Sequence, residues 1–120
     1  MPDKDFAKMK RYLISFDDGA MIIPEADMPA VSEAAHAVVR AAKDADVWIW
    51  GGGVQRQKAS IVSIDGTVAG GPFPETKAVI GGFSIIEVDS HGEALEWAAK
   101  IAAACRCAQE VREIMFDPES

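Results

Sequence analysis

The sequence predicts an α+β domain of the ferredoxin-like class, in which an antiparallel sheet carries two helices on one face. Three observations predict it: an alternating apolar pattern near the start, two amphipathic helical segments, and short strand patterns between and after them. The resulting order is strand, helix, strand, hairpin, strand, helix, strand, and this order is typical of that class. The 120 residues suit one domain. We expect a flexible tail over 1–9, one domain over 10–116 and a short tail over 117–120.

The first strand is predicted at 11–17, because Tyr12, Ile14 and Phe16 alternate with more polar neighbours. Two prolines then precede a helix that should end near Asp44. This helix carries an apolar stripe with helical spacing. Its members are Val31, Ala35, Val38, Val39 and Ala42.

The middle of the chain predicts a strand and a hairpin. Residues 47–50 are apolar at every position, which indicates a strand covered on both sides, and three glycines at 51–53 are expected to end it. The pair Asp65 and Gly66 predicts a tight turn between a strand at 59–64 and its return at 67–69.

The second helix is predicted to begin at Ser90, because Glu93 follows three residues later in the pattern of a capping box. Strands are expected before it at 83–88 and after it at 111–116. The helix should bury one apolar stripe. Its members are Leu95, Ala98, Ile101, Ala102 and Cys105.

The composition excludes several classes of protein. Hydrophobic residues make up 49% of the chain and charged residues 26%, the balance of a globular domain. The net charge is −7 and the basic residues are scattered, so we expect no nucleic-acid partner. No apolar run approaches the length of a membrane span, and the start lacks a signal-peptide core. We therefore expect no membrane contact and a cytoplasmic location.

The sequence contains few residues that could bind a metal ion or a cofactor. Cys105 and Cys107 are its only cysteines, and neither His36 nor His91 is near them in sequence, so local spacing does not assemble a zinc site. We expect reduced structural thiols, no metal and no cofactor.

Trp48 and Trp50 predict an association surface. Neighbouring strand residues point to opposite faces, so these two indoles cannot share the helix-covered face with Val47 and Ile49. Two tryptophans on a bare sheet would form an apolar patch, which a homodimer with its sheets packed face to face would cover. With Tyr12 and Phe83 they could instead line an aromatic pocket, or simply pack in the core.

Residues 70–83, GGPFPETKAVIGGF, form the most distinctive segment. Glycine and proline restrict its backbone path, and Glu75, Thr76 and Lys77 then supply an acceptor, a hydroxyl and a cation. With Pro72 and Phe73 these residues are candidates for binding a small polar or anionic molecule. The alternative is structural: the polar side chains could satisfy amides of the loop itself.

His36 is a candidate general base, because its ordinary pKa allows proton exchange at neutral pH. Asp46, just beyond the same helix, is its candidate orienting partner. The alternative is a solvated histidine on the polar stripe between Ser32 and Arg40.

The chain resembles the YCII-related family, also called the DGPF family, over about residues 10–116. The resemblance rests on KRYLISF, WGGGVQ, GGPFPETK, GGFSIIEVDS, EALEWAAKI and VREI in family order. It implies a ferredoxin-like domain that pairs into a dimeric α+β barrel. Some relatives use a His-Asp pair in a cleft beside the first helix, and His36 lies about one residue from the matching position. The leading acid of the DGPF signature is replaced by Gly70.

Two functional hypotheses follow from these residues and this resemblance. In the first, a homodimer binds a small polar molecule near the GGPFPETK loop and performs acid/base chemistry such as an elimination or isomerisation. In the second, the dimer is a non-catalytic interaction module linked to transcriptional regulation, as family members encoded beside sigma factors suggest.

Overall fold

The structure is a computed structural model that describes residues 9–55, 59–70 and 80–120. It contains six strands and two α-helices in these parts, and a single 3₁₀ turn over Glu25–Asp27 leads into the first helix. In chain order the elements are β1 (Lys10–Asp17), α1 (Met28–Asp44), β2 (Trp48–Gly53), β3 (Ser60–Val62), β4 (Val68–Gly70), β5 (Ile80–Val88), α2 (His91–Cys105) and β6 (Glu110–Glu113).

Four of the strands form one antiparallel sheet in the order β2-β5-β1-β6. Strand β5 lies between β1 and β2, and β1 lies between β5 and β6. Each helix therefore connects two parallel strands that are separated by a third strand. This interleaving is the ferredoxin-like arrangement, so the predicted fold class is confirmed.

The helices cover one face of the sheet, and the core lies between the two layers. It is built from alternate strand positions, because successive side chains of a strand point to opposite faces. The buried residues of the core are Tyr12, Ile14, Ala42, Val47, Ile86, Val88, Ala94 and Ala98. Tyr12 and Ile14 are thus on the buried face of β1, as predicted.

The local signals at two element ends are confirmed. The hydroxyl of Ser90 accepts a hydrogen bond from the backbone N–H of Glu93 at 3.1 Å and caps α2. At the predicted turn, Gly66 has a φ of 88°, and one carboxylate oxygen of Asp65 accepts from both the backbone N–H and the hydroxyl of Thr67. The strands β3 and β4 follow from this turn and pair with each other.

The structure corrects four details. Strand β2 continues through Gly53, where we expected the glycines to end it, and β6 stops at Glu113. In α2, Ala98 and Cys105 of the predicted stripe are buried and Ile101 packs against the core, whereas Leu95 is exposed and Ala94 is buried in its place. The hairpin β3–β4 forms a separate two-stranded sheet.

Candidate functional site

The sheet has an open face, which we define as the side away from the helices that carries Leu13, Trp50, Phe83 and Ile85. Leu13 pairs with Ile85 across β1 and β5, and both alternate with core residues. Leu13, Phe83 and Ile85 are half-buried, and Trp50 exposes 63% of its surface. An apolar patch of this kind on a sheet marks an association surface.

A β-bulge directs the two tryptophans of β2 to opposite faces. Trp48 pairs with Ile86, and Trp50 pairs with Ile85, so three residues of β2 span two residues of β5. Trp48 therefore packs against the core, beside the helices, while Trp50 lies on the open face. The expectation that both indoles lie on the uncovered face is wrong for Trp48, because the alternation of β2 is interrupted between them.

Trp50 is held against Phe83 of the neighbouring strand. The ring centroids are 5.2 Å apart and the planes are inclined at 61°, an edge-to-face arrangement. The backbone is close here, since a Cβ on Gly51 would lie 2.5 Å from the carbonyl oxygen of Phe83. Glycine at position 51 therefore allows β2 to lie close to β5. This close pairing places the Trp50 indole against the Phe83 ring.

The charged side chains on the open face form ion pairs. Arg11 Nε lies 3.4 Å from Glu87 Oε1 across β1 and β5, and Arg112 lies 3.2 Å from Glu110 within β6. Each pair joins one positive and one negative charge, so together they contribute no net charge around the apolar centre. The net charge of −7 is therefore carried elsewhere on the chain.

Five glycines form a corner at one end of β2 and β5, which we call the glycine corner. Its members are Gly51, Gly52, Gly53, Gly81 and Gly82. A Cβ on Gly82 would lie 2.7 Å from the ring of Phe16, whereas a Cβ on Gly52 would meet no heavy atom of residues 9–55, 59–70 and 80–120 within 4 Å. Gly52 pairs with Phe83 and so faces the open side. Glycines in strands often mark a place where a ligand or another backbone approaches closely.

His36 and Asp46 are separated along the axis of α1. His36 is exposed on α1, and the helix continues to Asp44 before the turn that holds Asp46 with a φ of 62°. At a rise of about 1.5 Å per residue, His36 is about 12 Å along the axis from the end of the helix. This separation of about two helical turns does not favour the acid/base pair of His36 and Asp46, which stays a prediction.

The predicted ligand-binding residues Pro72, Phe73, Glu75, Thr76 and Lys77 lie outside the described residues. The structure does describe the ends from which this segment leaves, Gly70 on the hairpin and Ile80 on β5. Ile80 directly precedes the glycine corner. Binding by this segment stays a prediction.

The other aromatic and sulfur side chains occupy structural positions. Tyr12 lies in the core, where its ring is 5.8 Å from that of His91, so only Phe83 of the predicted aromatic pocket joins Trp50. Cys105 is buried and Cys107 half-buried, and both are free thiols. Burial raises the pKa of both. Within 9–55, 59–70 and 80–120, no group of three or more His, Cys, Asp or Glu side chains is placed to bind a metal ion.

Sequence reasoning did not identify Leu13, Ile85 or Gly52 as parts of a surface. The signal for Leu13 was available, because it alternates with Tyr12 and Ile14 on β1 and so must face away from the helices. The role of Gly52 depends on its pairing with Phe83, a long-range contact that the local pattern does not contain.

The model of the YCII-related domain family matches residues 20–116. The chain belongs to the YCII-related family. This match covers α1, β2, both hairpin strands, β5, α2 and β6 of the YCII-related domain. No curated protein matches the chain significantly. None of the helices in the described parts of the domain is long and apolar enough to cross a membrane.

Proposed function

We propose that the YCII-related domain acts as a homodimer in which the open faces of two sheets pack against each other. The observation that carries this proposal is the 63% exposure of Trp50, whose indole on the edge strand β2 rests edge-to-face with Phe83 of β5 on the apolar sheet face. Exposed tryptophans on apolar patches are typical anchors of interfaces. The neutral ion pairs Arg11–Glu87 and Arg112–Glu110 allow two copies of an acidic chain to approach on this side.

The substitution Trp50→Asp tests the interface. We expect the wild-type protein to sediment at about 25.6 kDa, twice the 12.8 kDa of one chain, and Trp50→Asp to sediment as a monomer. The aspartate would place an unpaired charge within the apolar contact. Leu95→Asp is the matched control, because Leu95 is an exposed apolar residue of α2 on the helix layer, and its mass should equal that of the wild type. A monomeric wild-type protein would contradict the proposal.

The dimer has a second candidate role, the binding of a small polar molecule at the glycine corner. The space beside Gly52 supports this role, because no side chain of the described residues covers the backbone of β2 there. The segment with Pro72, Phe73, Glu75, Thr76 and Lys77 joins β5 next to this corner and would supply the polar groups. Binding of this kind does not require a proton transfer by His36 or Asp46.

A thermal-shift screen against a panel of small metabolites tests this role, since a ligand that binds only the folded state raises Tm. We expect a shift that is lost in Lys77→Ala and in Gly52→Val, where a branched side chain fills the space beside β2. His36→Ala should retain the shift, because His36 is exposed on α1. The absence of any shift across a broad panel would favour the non-catalytic interaction module, with its link to transcriptional regulation.

A further inference from the structure

Ser15 is a buried polar residue on the open face of the sheet. It follows Ile14, whose side chain lies in the core, and it pairs with Phe83 of β5 and Glu110 of β6. Its exposed fraction is 5%. Within residues 9–55, 59–70 and 80–120, no group forms a hydrogen bond with its hydroxyl. The partner of this hydroxyl is therefore not found among the described residues.

A buried hydroxyl without a partner lowers the stability of a folded protein, because it has given up its hydrogen bonds to water. An apolar β-branched residue would suit the middle of β1 better than serine. Where native structures keep such a group, a bound molecule or ion, or a catalytic role, is a common reason. The helix layer lies on the other side of the sheet, so a partner for Ser15 has to approach from the open face.

Ser15 belongs to one row of paired residues across the open face, which we call the serine row. Its members are Gly52 of β2, Phe83 of β5, Ser15 of β1 and Glu110 of β6. A Cβ on Gly52 would meet no heavy atom of the described residues within 4 Å. Because neighbouring strands are about 4.8 Å apart, Gly52 and Ser15 are about 10 Å apart. One small molecule that lies over the Phe83 ring can therefore contact both.

The side chains beside Ser15 indicate the chemistry of that molecule. On one side, the Phe83 ring is held edge-to-face with Trp50, and its own faces and edges can receive another aromatic ring. On the other side, Glu110 Oε1 lies 3.2 Å from Arg112 Nη1, so this pair adds no net charge. The Ser15 hydroxyl can both donate and accept a hydrogen bond. A neutral molecule with one aromatic ring and one hydroxyl group matches these neighbours.

We propose that Ser15 binds the hydroxyl group of a small aromatic molecule that lies along the serine row, beside the glycine corner. This inference rests on the small-molecule role of the proposed function, and it adds a chemical class and a further binding residue. It is also compatible with the face-to-face dimer. When two sheets pack about 10 Å apart, the small residues Gly52 and Ser15 leave space between them for one ring.

Phenol and toluene are matched probes for this site, because a hydroxyl group in one replaces a methyl group in the other. Their Kd values are measured for the wild type and Ser15→Ala by NMR titration of the backbone amides. We expect phenol to bind Ser15→Ala about fivefold more weakly, the effect of one hydrogen bond, and toluene to bind both proteins equally. Ser15→Thr is the matched control, since it keeps the hydroxyl, and it should bind phenol like the wild type.

The titration also locates the probe. In the wild type, phenol should shift the amide signals of Gly52 and Phe83, and Gly52→Val should weaken the binding of both probes. An equal loss of phenol and toluene in Ser15→Ala would assign Ser15 a structural role and overturn the inference. Equal phenol affinity in the wild type and Ser15→Ala would also overturn it, and a metabolite shift lost in Gly52→Val would still leave the small-molecule role standing. Failure of both probes to bind the wild type would overturn the chemical class.

Discussion

Cys105 and Cys107 differ in their access to water, although they are separated by a single residue. Cys105 ends α2 and is buried, and Cys107 follows it in a half-buried position. Burial raises the pKa of the Cys105 thiol, and the neighbouring Cys107 raises it further. The pKa of the Cys107 thiol is raised by burial and lowered in part by a hydrogen bond with Gln109. Both thiols are therefore held in the protonated, unreactive form at neutral pH.

The raised pKa of Cys105 makes stability depend on pH in the alkaline range. A group whose pKa is higher in the folded state stabilises the fold fully below its unfolded pKa, and this contribution is lost as pH rises through the folded pKa. We expect Tm to fall as pH rises above about 8.5, the ordinary pKa of cysteine. The fall should be smaller in Cys105→Ala. Equal slopes in the two proteins would contradict this assignment.

At the scale of elements, the first turn of α2 depends on one side chain. The Ser90 hydroxyl accepts from the Glu93 backbone N–H, which has no partner within the helix. We expect Ser90→Ala to lower the free energy of unfolding by about 1 kcal/mol. Denaturant titration would measure this change. Ser32→Ala, an exposed change inside α1, is the control and should stay within about 0.5 kcal/mol of the wild type.

The elements that the sequence predicts well are those specified by short-range patterns. The alternation of Tyr12 and Ile14, the Ser90 cap and the turn at Asp65 and Gly66 each depend on neighbouring residues, and each is present. The extension of β2 through Gly53 is different, because it depends on pairing with the distant strand β5. Pairing partners, and hence strand ends, are not contained in a local pattern.

The candidate site was predicted only in part for the same reason. The composition of β2 predicted an aromatic association surface on the sheet. The bulge and the pairing register determine that this surface contains one of the two tryptophans, together with Phe83, Leu13 and Ile85. The pairing of His36 with Asp46 was inferred from closeness in sequence. Because His36 lies within α1 and Asp46 lies beyond its end, about two helical turns separate the two residues.

At the scale of the whole molecule, the distribution of charge predicts how salt affects the proposed dimer. The chain carries a net charge of −7, whereas the ion pairs of the open face contribute none of it. Added salt should screen the repulsion between two acidic chains without weakening an apolar contact. We expect the Kd to stay constant or fall between about 0.05 M and about 0.5 M salt. A tenfold rise in Kd would show that ion pairs between the copies hold the dimer together.

The bulge in β2 has a consequence for how this protein can change over generations. It assigns Trp48 to the folding of one chain and Trp50 to the surface that a neighbour would meet. A heritable replacement at position 50 can therefore alter the proposed self-association while the fold is inherited intact. A single extra residue in one strand separates two properties that would otherwise be selected together.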